Sequence, residues 1–300
     1  MKAFFQRLRN RKNTKPFTGD GNVSTIPLSE KQIQAVLSRS PHFEPDQLVA
    51  GCGQSSGKQR DHNEDTLFAL SIGVGSAVHQ YPLGLFIVAD GMGGHQYGEV
   101  ASSTAVRTLV GHILRKMHPY LVNPSYSMDE SLQDIMRAGV NEAQRAVMQA
   151  APGSGTTLTA ALVLGQQMTI GHVGDSRAYA IRQDGQMEPL TRDHSLVRRL
   201  EELGQITSKE AAAHPQRNVL YRALGQGDIL EPDIFTAPFP QPGYLMLCSD
   251  GLWSVVTEHD IHKIIHNSSN LQTACQGLVA AANEAGGPDN ISVVLVRMFD

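Results

Sequence analysis

The pattern of apolar and polar residues changes period several times along this chain, and each change predicts a different element. Leu85–Ala89 is a continuous apolar run, rich in strand formers, that ends at an aspartate. Apolar residues then recur at helical spacing over 97–117 and again from about 129 to 150. The second helix should begin at a capping box formed by Ser127 and Glu130.

After residue 150 the apolar runs become short, as is typical of strands joined by tight turns. Such short connections force neighbouring strands to run antiparallel. Further helices are predicted to be capped at 257–260 and to run over 271–285. These patterns alone predict an α+β fold with mostly antiparallel sheets. The short runs are Thr157–Leu164, Met168–Val173, Arg177–Arg182 and Gln186–Leu190, and the last strand is predicted over Ile291–Val296.

Residues 1–47 differ in charge from the rest of the chain. The first 50 residues carry a net charge of +4, whereas the whole chain carries −4, so the remainder carries −8. We interpret 1–47 as a basic, mobile tail with one short helix at 29–38, and place the folded domain at 48–300. Two phenylalanines and a leucine among the first cations leave contact with an anionic membrane or a partner as the alternative.

Composition narrows the class of protein. With 41% hydrophobic and 18% charged residues, the chain is predicted to be a soluble globular protein without a bias towards nucleic acid. No apolar run reaches the ~18 residues of a membrane span, and the basic N-terminus lacks the apolar region of a signal peptide. Three cysteines without CxxC spacing argue against disulfides and zinc, which predicts a cytoplasmic setting. Cys248 is predicted to be a buried structural thiol rather than a nucleophile.

Three acidic turns adjoin apolar strands. Asp90 ends the first run, Asp250 follows the run that begins at Tyr244, and Asp289 precedes the last strand. A carboxylate at the end of a buried strand is costly unless it is hydrogen-bonded or neutralised. Hard cations such as Mg2+ and Mn2+ take oxygen ligands, so the three acids could converge on one metal site. Each turn taken singly is equally compatible with an ordinary Asp turn.

Two further segments have both a functional and a purely structural interpretation. Arg60–Asp65 (RDHNED) could hold an anion through Arg60 and a cation through Glu64, or it could be a charged loop. Asp175 is available as an outlying acid, but Asp is common in tight turns. The polar, helical stretch 193–225 is either a flap inserted beside an active site or an ordinary pair of connecting helices.

Taken together, these segments resemble the metal-dependent Ser/Thr protein phosphatases of type 2C, the PPM family, and more closely its bacterial branch. The matching motifs occur in family order and cover roughly residues 48 to 298. They are Arg60–Asp65 (RDHNED), Val88–Gly94 (VADGMGG), Ser154–Thr157 (SGTT), Val173–Arg177 (VGDSR), Leu190–Ser195 (LTRDHS), His214–Arg217 (HPQR), Ser249–Gly251 (SDG) and Gly287–Asn290 (GPDN).

The resemblance implies a four-layer αββα sandwich, in which two antiparallel sheets are flanked by helices and metals lie at one end. It implies that Asp90 bridges two Mn2+ or Mg2+ ions and that Asp250 and Asp289 complete one of them. The Gly91 carbonyl would help to bind the other ion, which Glu64 would reach directly or through water.

The resemblance also assigns roles around this core. Arg60 matches the phosphate-holding arginine, and Asp175 matches an acid of a third, weaker metal site near the flap at 193–225. A hydroxide held between two cations is a strong nucleophile at neutral pH. Some eukaryotic relatives have a histidine after the Asp-Gly, proposed as the general acid, where this chain has Met92. His62 and His95 lie nearby in sequence but match no catalytic position of the family.

The expected function is metal-dependent hydrolysis of phosphoserine and phosphothreonine in proteins, opposing a bacterial Ser/Thr kinase. Phosphorylated proteins, including such a kinase and its substrates, are therefore the expected partners, and a monomer is expected. Two alternatives remain at this point. One is a catalytically silent phosphoprotein-binding module of the same fold, and the other is hydrolysis of a small phosphate ester at the same site.

Overall fold

A computed structural model describes residues 46–75, 80–93, 97–123, 127–227 and 230–299. The predicted tail, its short helix and the domain boundary near 48 fall wholly or partly outside these ranges, so they stay predictions. Within the described ranges, no helix is both long enough and apolar enough to cross a membrane.

Two five-stranded sheets form the centre of the fold, and every ladder between their strands is antiparallel. The first sheet has the order β1-β12-β11-β8-β9 and the second has the order β10-β7-β6-β3-β2. A two-residue ladder joins β4 to β5. The strands are β1 (Gln47–Ser55), β2 (Thr66–Gly75), β3 (Gln80–Ala89), β4 (Gly91–Met92), β5 (Gly155–Thr156), β6 (Leu158–Leu164), β7 (Gln167–Val173), β8 (Arg177–Arg182), β9 (Met187–Pro189), β10 (Asp233–Pro238), β11 (Gly243–Cys248) and β12 (Ile291–Phe299).

Helices cover the outer face of each sheet. The two long helices, α1 and α2, pack on the second sheet, and α5 to α7 pack on the first. The helices are α1 (Tyr97–Val122), α2 (Leu132–Ala150), α3 (Leu196–Glu202), α4 (Ser208–Ala212), α5 (Asp250–Trp253), α6 (Glu258–Asn267) and α7 (Leu271–Glu284).

Apolar side chains point alternately to the two faces of the strands, and they form three apolar cores. In β3, Leu85 and Ile87 face the long helices, whereas Phe86 and Val88 face the other sheet. Successive side chains of a strand point to opposite faces, so a strand that is apolar on both faces must lie between two layers. The predicted four-layer αββα sandwich is therefore confirmed.

Two predictions about local structure are wrong. Helix α2 does not begin at a Ser127–Glu130 capping box; its N-cap is Ser131, whose Oγ accepts the N–H of Asp134 at 3.1 Å. A Ser with an acid three residues later occurs twice here, and the second pair directly precedes the apolar stripe.

The second error concerns the strand connections. β6–β7 and β8–β9 are antiparallel neighbours as predicted, but β7 and β8 lie in different sheets. Gly174–Ser176 therefore crosses the sandwich instead of closing a hairpin. Asp175 lies in this crossing, at the end of the sandwich where the strands preceding Asp90 and Asp250 also end.

Candidate metal centre

Strand ends from both sheets bring the predicted acids together. Asp90 follows β3 of the second sheet, whereas Asp250 is the first residue of α5, after β11 of the first sheet. Asp289 lies just before β12, which pairs with β11. Residues far apart in sequence thus meet because the two sheets pack face to face with these strand ends at one edge.

The backbone of Asp90 is fixed by the SGTT segment. The N–H of Asp90 donates to Oγ1 of Thr157 at 2.8 Å. Its carbonyl accepts one hydrogen bond from the hydroxyl of Thr156, at 2.9 Å, and another from the N–H of Thr157, at 2.8 Å. The hydroxyl groups of Thr157 and Ser176 are 2.7 Å apart, which ties this arrangement to the crossing that carries Asp175.

The acids of the cluster interact strongly. Burial raises the pKa of Asp90 well above its usual value, and the charges of Asp65, Asp250, Asp175 and Asp289 raise it further. Burial and the charge of Asp289 raise the pKa of Asp250 to about 6. Like charges in a low dielectric repel, so this cluster binds either protons or cations.

Asp65 belongs to this cluster, although no role was predicted for it. It is 7% exposed, and its Oδ2 accepts Oγ of Ser249 at 2.8 Å. Burial raises its pKa to about 7, with contributions from the charges of Asp250 and Asp289. The RDHNED motif contained the residue, but only its position between the two sheets shows that it is buried beside the other acids.

Asn290 links the loop carrying Glu64 to the turn carrying Asp289. Its Oδ1 accepts the N–H of Glu64 at 2.7 Å, and its Nδ2 donates to the carbonyl of His62 at 2.9 Å. Oγ of Ser102 donates to the Glu64 carbonyl at 2.6 Å. Glu64 is therefore held from both sides.

Two glycines make room for Glu64. A Cβ added at Gly98 would lie 2.7 Å from Oε1 of Glu64, and one added at Gly91 would lie 2.2 Å from the carbonyl oxygen of Gly98 and 2.6 Å from that of Glu64. Contacts of that length do not occur in folded proteins, so a side chain at either position would displace the glutamate. This close approach of backbone is why the DGMGG segment needs a glycine directly after Asp90.

The oxygen atoms of this cluster fit a hard cation. Oε1 of Glu64, Oδ1 of Asp65 and Oδ1 of Asp250 are buried without a hydrogen-bond partner. Buried carboxylate oxygens are costly unless a proton or cation compensates them. In the described ranges, no three His, Cys, Asp or Glu side chains lie close enough together to form a group that could hold an ion. The fit therefore rests on the oxygen chemistry and the unpartnered atoms, and the ligand roles of Glu64, Asp90, Gly91, Asp175, Asp250 and Asp289 stay predictions.

Arg60 lies at the rim of the cluster. Its Nη2 donates to Oδ2 of Asp289 at 2.7 Å, while its side chain is 49% exposed. The hydrogen bond to Asp289 raises the pKa of Arg60, as do the charges of Asp289, Glu64 and Asp90. A half-exposed guanidinium beside a buried acid cluster can reach an anion arriving from solvent.

The crossing that carries Asp175 is braced by Trp253 at the end of α5. Nε1 of Trp253 donates to the carbonyl of Asp175 at 3.0 Å. The guanidinium carbon of Arg177 lies 3.5 Å from the centroid of the Trp253 ring, and Arg177 makes a bidentate pair with Asp193 at 2.8 and 2.9 Å. Burial, followed by the charges of Asp250 and Asp193, raises the pKa of Asp175 well above its usual value. Sequence patterns gave no signal for Trp253, because a lone Trp in an amphipathic segment is usually core.

His62 lies beside the acid cluster, although no catalytic role was predicted for it. His62 is half exposed, and its Nε2 lies 3.4 Å from Oε1 of Glu64. His95 lies outside the described residues. Cys248 is fully buried, and burial raises its pKa to about 12, in keeping with the predicted structural thiol.

Comparisons with known proteins agree with this architecture. The family model described as Protein phosphatase 2C matches residues 50–291. The serine/threonine phosphatase stp of Listeria innocua is 37% identical over 247 residues, which cover 80% of this chain and 92% of that protein. The serine/threonine phosphatase PstP/Ppp of Mycobacterium tuberculosis superposes with a TM-score of 0.69 at 30% identity, covering 85% of this chain and all of that one.

A further solved structure bears on the metals. The catalytic domain of the serine threonine protein phosphatase PstP, in complex with two manganese ions, superposes with a TM-score of 0.68 at 29% identity, covering 85% of this chain and 100% of that one. The family match spans most of the chain and includes the acid-bearing strand ends described above. This chain therefore belongs to the protein phosphatase 2C family, in its bacterial branch.

Proposed function

We propose that this protein is a metal-dependent protein-serine/threonine phosphatase whose site is the acid cluster around Asp90. The observation that carries the proposal is the set of three buried carboxylate oxygens without partners, on Glu64, Asp65 and Asp250. The charges of Asp65 and Asp250 act on Asp90, Glu64 lies against Gly91, and Arg60 lies at the rim with its side chain half exposed. Such a site suits cations on the inside and a phosphate arriving from outside.

The proposed metal ligands come from several parts of the acid cluster. Asp90, Asp250, Asp289, Glu64 and the Gly91 carbonyl would together hold the metal ions, with Asp90 as their shared ligand. When bound, Mn2+ or Mg2+ would supply a nucleophile from water at neutral pH and offset charge on the phosphoryl oxygens. A third, weaker ion at Asp175 is part of the proposal, because that acid is buried beside Asp250.

Arg60 is proposed to bind the phosphoryl group. Its planar guanidinium can donate two parallel hydrogen bonds to phosphate oxygens, and half of the side chain is already exposed to solvent. Its bond to Asp289 holds it over the acid cluster before substrate arrives. The thioether of Met92 has no dissociable proton, so no side chain at that position protonates the departing serine or threonine oxygen.

The proposed substrates are phosphorylated proteins, in keeping with the relatives' names Serine/threonine phosphatase and Protein phosphatase, and we include a bacterial Ser/Thr kinase and its targets among them. The domain is proposed to occupy 48–300, with 193–225 as its flap, and to act as a cytoplasmic monomer. A silent binding module is not favoured, because every expected acid is present and the chain is similar to named phosphatases over about 80% of its length. A small phosphate ester is the competing substrate, and the flap and the cleft walls would decide between the two.

Replacing Asp90 by Asn tests the proposal. Loss of the bridging charge should lower Mn2+-dependent phosphate release from a phosphothreonine peptide by about a thousandfold, since metal ions supply several kcal/mol to such reactions. EDTA should stop release from the unaltered protein. Circular dichroism would verify that the variant is folded.

The matched control is Asp184→Asn, which makes the same change in an exposed turn, where Oδ1 accepts the N–H of Gln186. It should keep full activity. Activity retained by Asp90→Asn would contradict the proposal. Faster turnover of phosphorylated metabolites than of peptides would favour the small ester.

A further inference from the structure

A second polar cavity, distinct from the acid cluster, lies at the base of the flap. Its volume is about 400 Å³. Its lining is rich in arginine, although the chain as a whole carries net negative charge. The lining residues are Arg192, His194, Arg199, Tyr221, Arg222 and Asp233.

The walls of this arginine pocket belong to an ordered part of the flap. The N–H of Tyr221 donates to the carbonyl of His194 at 2.9 Å, and the N–H of Leu196 donates to the carbonyl of Val219 at 2.8 Å. The beginning and end of the flap are therefore paired to each other. Tyr221 leaves about half of its ring exposed at the mouth of the pocket.

One arginine and one acid at the floor neutralise each other. Nη1 of Arg222 donates to Oδ1 of Asp233 at 2.9 Å, and Nε2 of His194 contacts the other oxygen of that carboxylate at 3.2 Å. Nδ1 of His194 accepts the N–H of Gly174 at 3.1 Å, so the proton of the neutral ring is on Nε2. The floor is thus a hydrogen-bonded polar surface, in which Nη1 of Arg222 also lies 3.2 Å from Nε2 of His194.

The cations at the mouth outnumber the acids beside them. Arg192 and Arg199 both pair with Glu202, and Arg198 pairs with it as well, at 3.3 Å. The Arg199 contact is long, at 3.8 Å, and the Arg192 and Arg199 side chains are each more than half exposed. Arg198 also forms an ion pair with Glu201, at 2.8 Å. Arg192 and Arg199 therefore keep donors that can turn to an incoming anion.

The pocket also adjoins the candidate metal centre. The N–H of His194 donates to the carbonyl of Gly174 at 2.7 Å, and Gly174 directly precedes Asp175. Asp193, next to the pocket, is paired with Arg177, which stacks on Trp253. The inner end of the pocket and the candidate metal centre are thus connected through residues 174–175.

We infer that the arginine pocket binds a second anionic side chain, phosphorylated or acidic, of the same protein substrate whose phosphate is hydrolysed. This rests on the proposed function. Guanidinium groups bind phosphate and carboxylate oxygens through paired hydrogen bonds, and a phosphoryl group makes more of them than a carboxylate. The protein then prefers segments that carry two phosphates.

Phosphothreonine peptides with and without a second phosphoserine test the inference. The second group would be placed at spacings of about two to eight residues, since an extended chain covers about 3.3 Å per residue. At the best spacing, the full chain with Mn2+ should have a kcat/KM about tenfold higher for the doubly phosphorylated peptide, mainly through KM. Arg199→Gln, and separately Arg192→Gln, should reduce that ratio towards one.

Arg182→Gln is the matched control, because Arg182 is an exposed arginine on β8 with a single acidic neighbour, Glu188, at 3.6 Å. It should keep the preference. The inference is overturned if no spacing gives a preference, or if the pocket variants lose activity equally on both peptides. It is also overturned if free O-phosphoserine stimulates hydrolysis of the singly phosphorylated peptide as strongly, which would mark a site for a free anion.

A binding measurement separates this inference from the proposed function. In EDTA, where no hydrolysis is expected, the labelled doubly phosphorylated peptide should still bind the full chain more tightly than the singly phosphorylated one. Arg199→Gln should remove the difference. Preferential binding without any Mn2+-dependent hydrolysis would contradict the phosphatase proposal alone, and hydrolysis without preferential binding would contradict the pocket alone.

Discussion

Asn290 joins three loops through a single buried side chain. Its amide accepts the N–H of Glu64 and donates to the carbonyls of Ser56 and His62, at distances between 2.7 and 3.0 Å. All three of these side-chain hydrogen bonds join backbone groups that lie outside the strands. The residue therefore satisfies the irregular backbone that the acid cluster requires.

Asn290→Ala should lower the free energy of unfolding by about 2–4 kcal/mol, because it removes three hydrogen bonds and leaves their partly buried backbone partners unpaired. Urea unfolding of the metal-free protein measures this. The exposed Asn218 supplies a control, since Asn218→Ala should change stability by less than about 0.5 kcal/mol. An equal, small effect of both changes would show that Asn290 is not structurally important.

Helix α5 is only four residues long, yet it connects the candidate metal centre to the crossing between the sheets. Its first residue is Asp250, and its last, Trp253, donates to the carbonyl of Asp175. A helix of one turn has little stability of its own. Its position depends on the packing of Leu252 in the core and on the stack between Trp253 and Arg177.

Two replacements of Trp253 separate its hydrogen bond to the Asp175 carbonyl from its stacking on Arg177. Trp253→Phe keeps an aromatic ring over Arg177 but loses the N–H donor, and it should cost about 1 kcal/mol of stability. Trp253→Leu loses the stacking as well and should cost about 1–2 kcal/mol more. Chemical unfolding measures both variants. Equal losses for the two would mean that the cation–π contact contributes nothing.

Among the described residues, the acids buried at one end of the sandwich outnumber the cations that pair with them. The raised pKa values of Asp65, at about 7, and Asp250, at about 6, express that excess. Folding alone does not compensate these acids. The metal-free protein must instead take up protons, and an ion that replaces the protons should stabilise it by mass action.

The stability of the metal-free protein should therefore fall as pH rises. An acid whose pKa is higher in the folded state binds more protons folded than unfolded, so raising the pH through that range favours unfolding. Buried His172 acts in the opposite sense, because its pKa is lowered to about 3 and its contribution is lost as pH falls below about 6.5.

Unfolding in EDTA between about pH 7 and 8 reports mainly on the acids, since an unfolded histidine with a pKa near 6.5 is mostly neutral there. The free energy of unfolding should fall across this range by an amount on the order of 1 kcal/mol, and Asp65→Asn should flatten the slope. Saturating Mn2+ should reverse it, because the ligands bind metal when deprotonated. A metal-free protein whose stability rises with pH would contradict this electrostatic account.

Several features of this protein followed from the sequence alone. Periodicity located β3, α1 and β12, because a strand repeats every two residues and a helix every 3.6 whatever lies around them. The ordered motifs predicted the family, and the family predicted the sandwich fold. This was possible because the acids and glycines needed at each strand end lie together in one short motif. The ends of the elements were less certain: α2 starts at a second Ser–acid pair that local pattern could not rank above the first.

Only the tertiary structure decided how the strand ends meet. β7 and β8 have the sequence of a hairpin, yet they enter different sheets, because partner choice depends on long-range packing that a three-residue turn does not encode. The burial of Asp65 among the other acids, the stack of Trp253 on Arg177 and the arginines gathered at the base of the flap depend on the same packing. Sequence determined which chemical groups are present, and the packing of the two sheets determined which of them are close enough to act together.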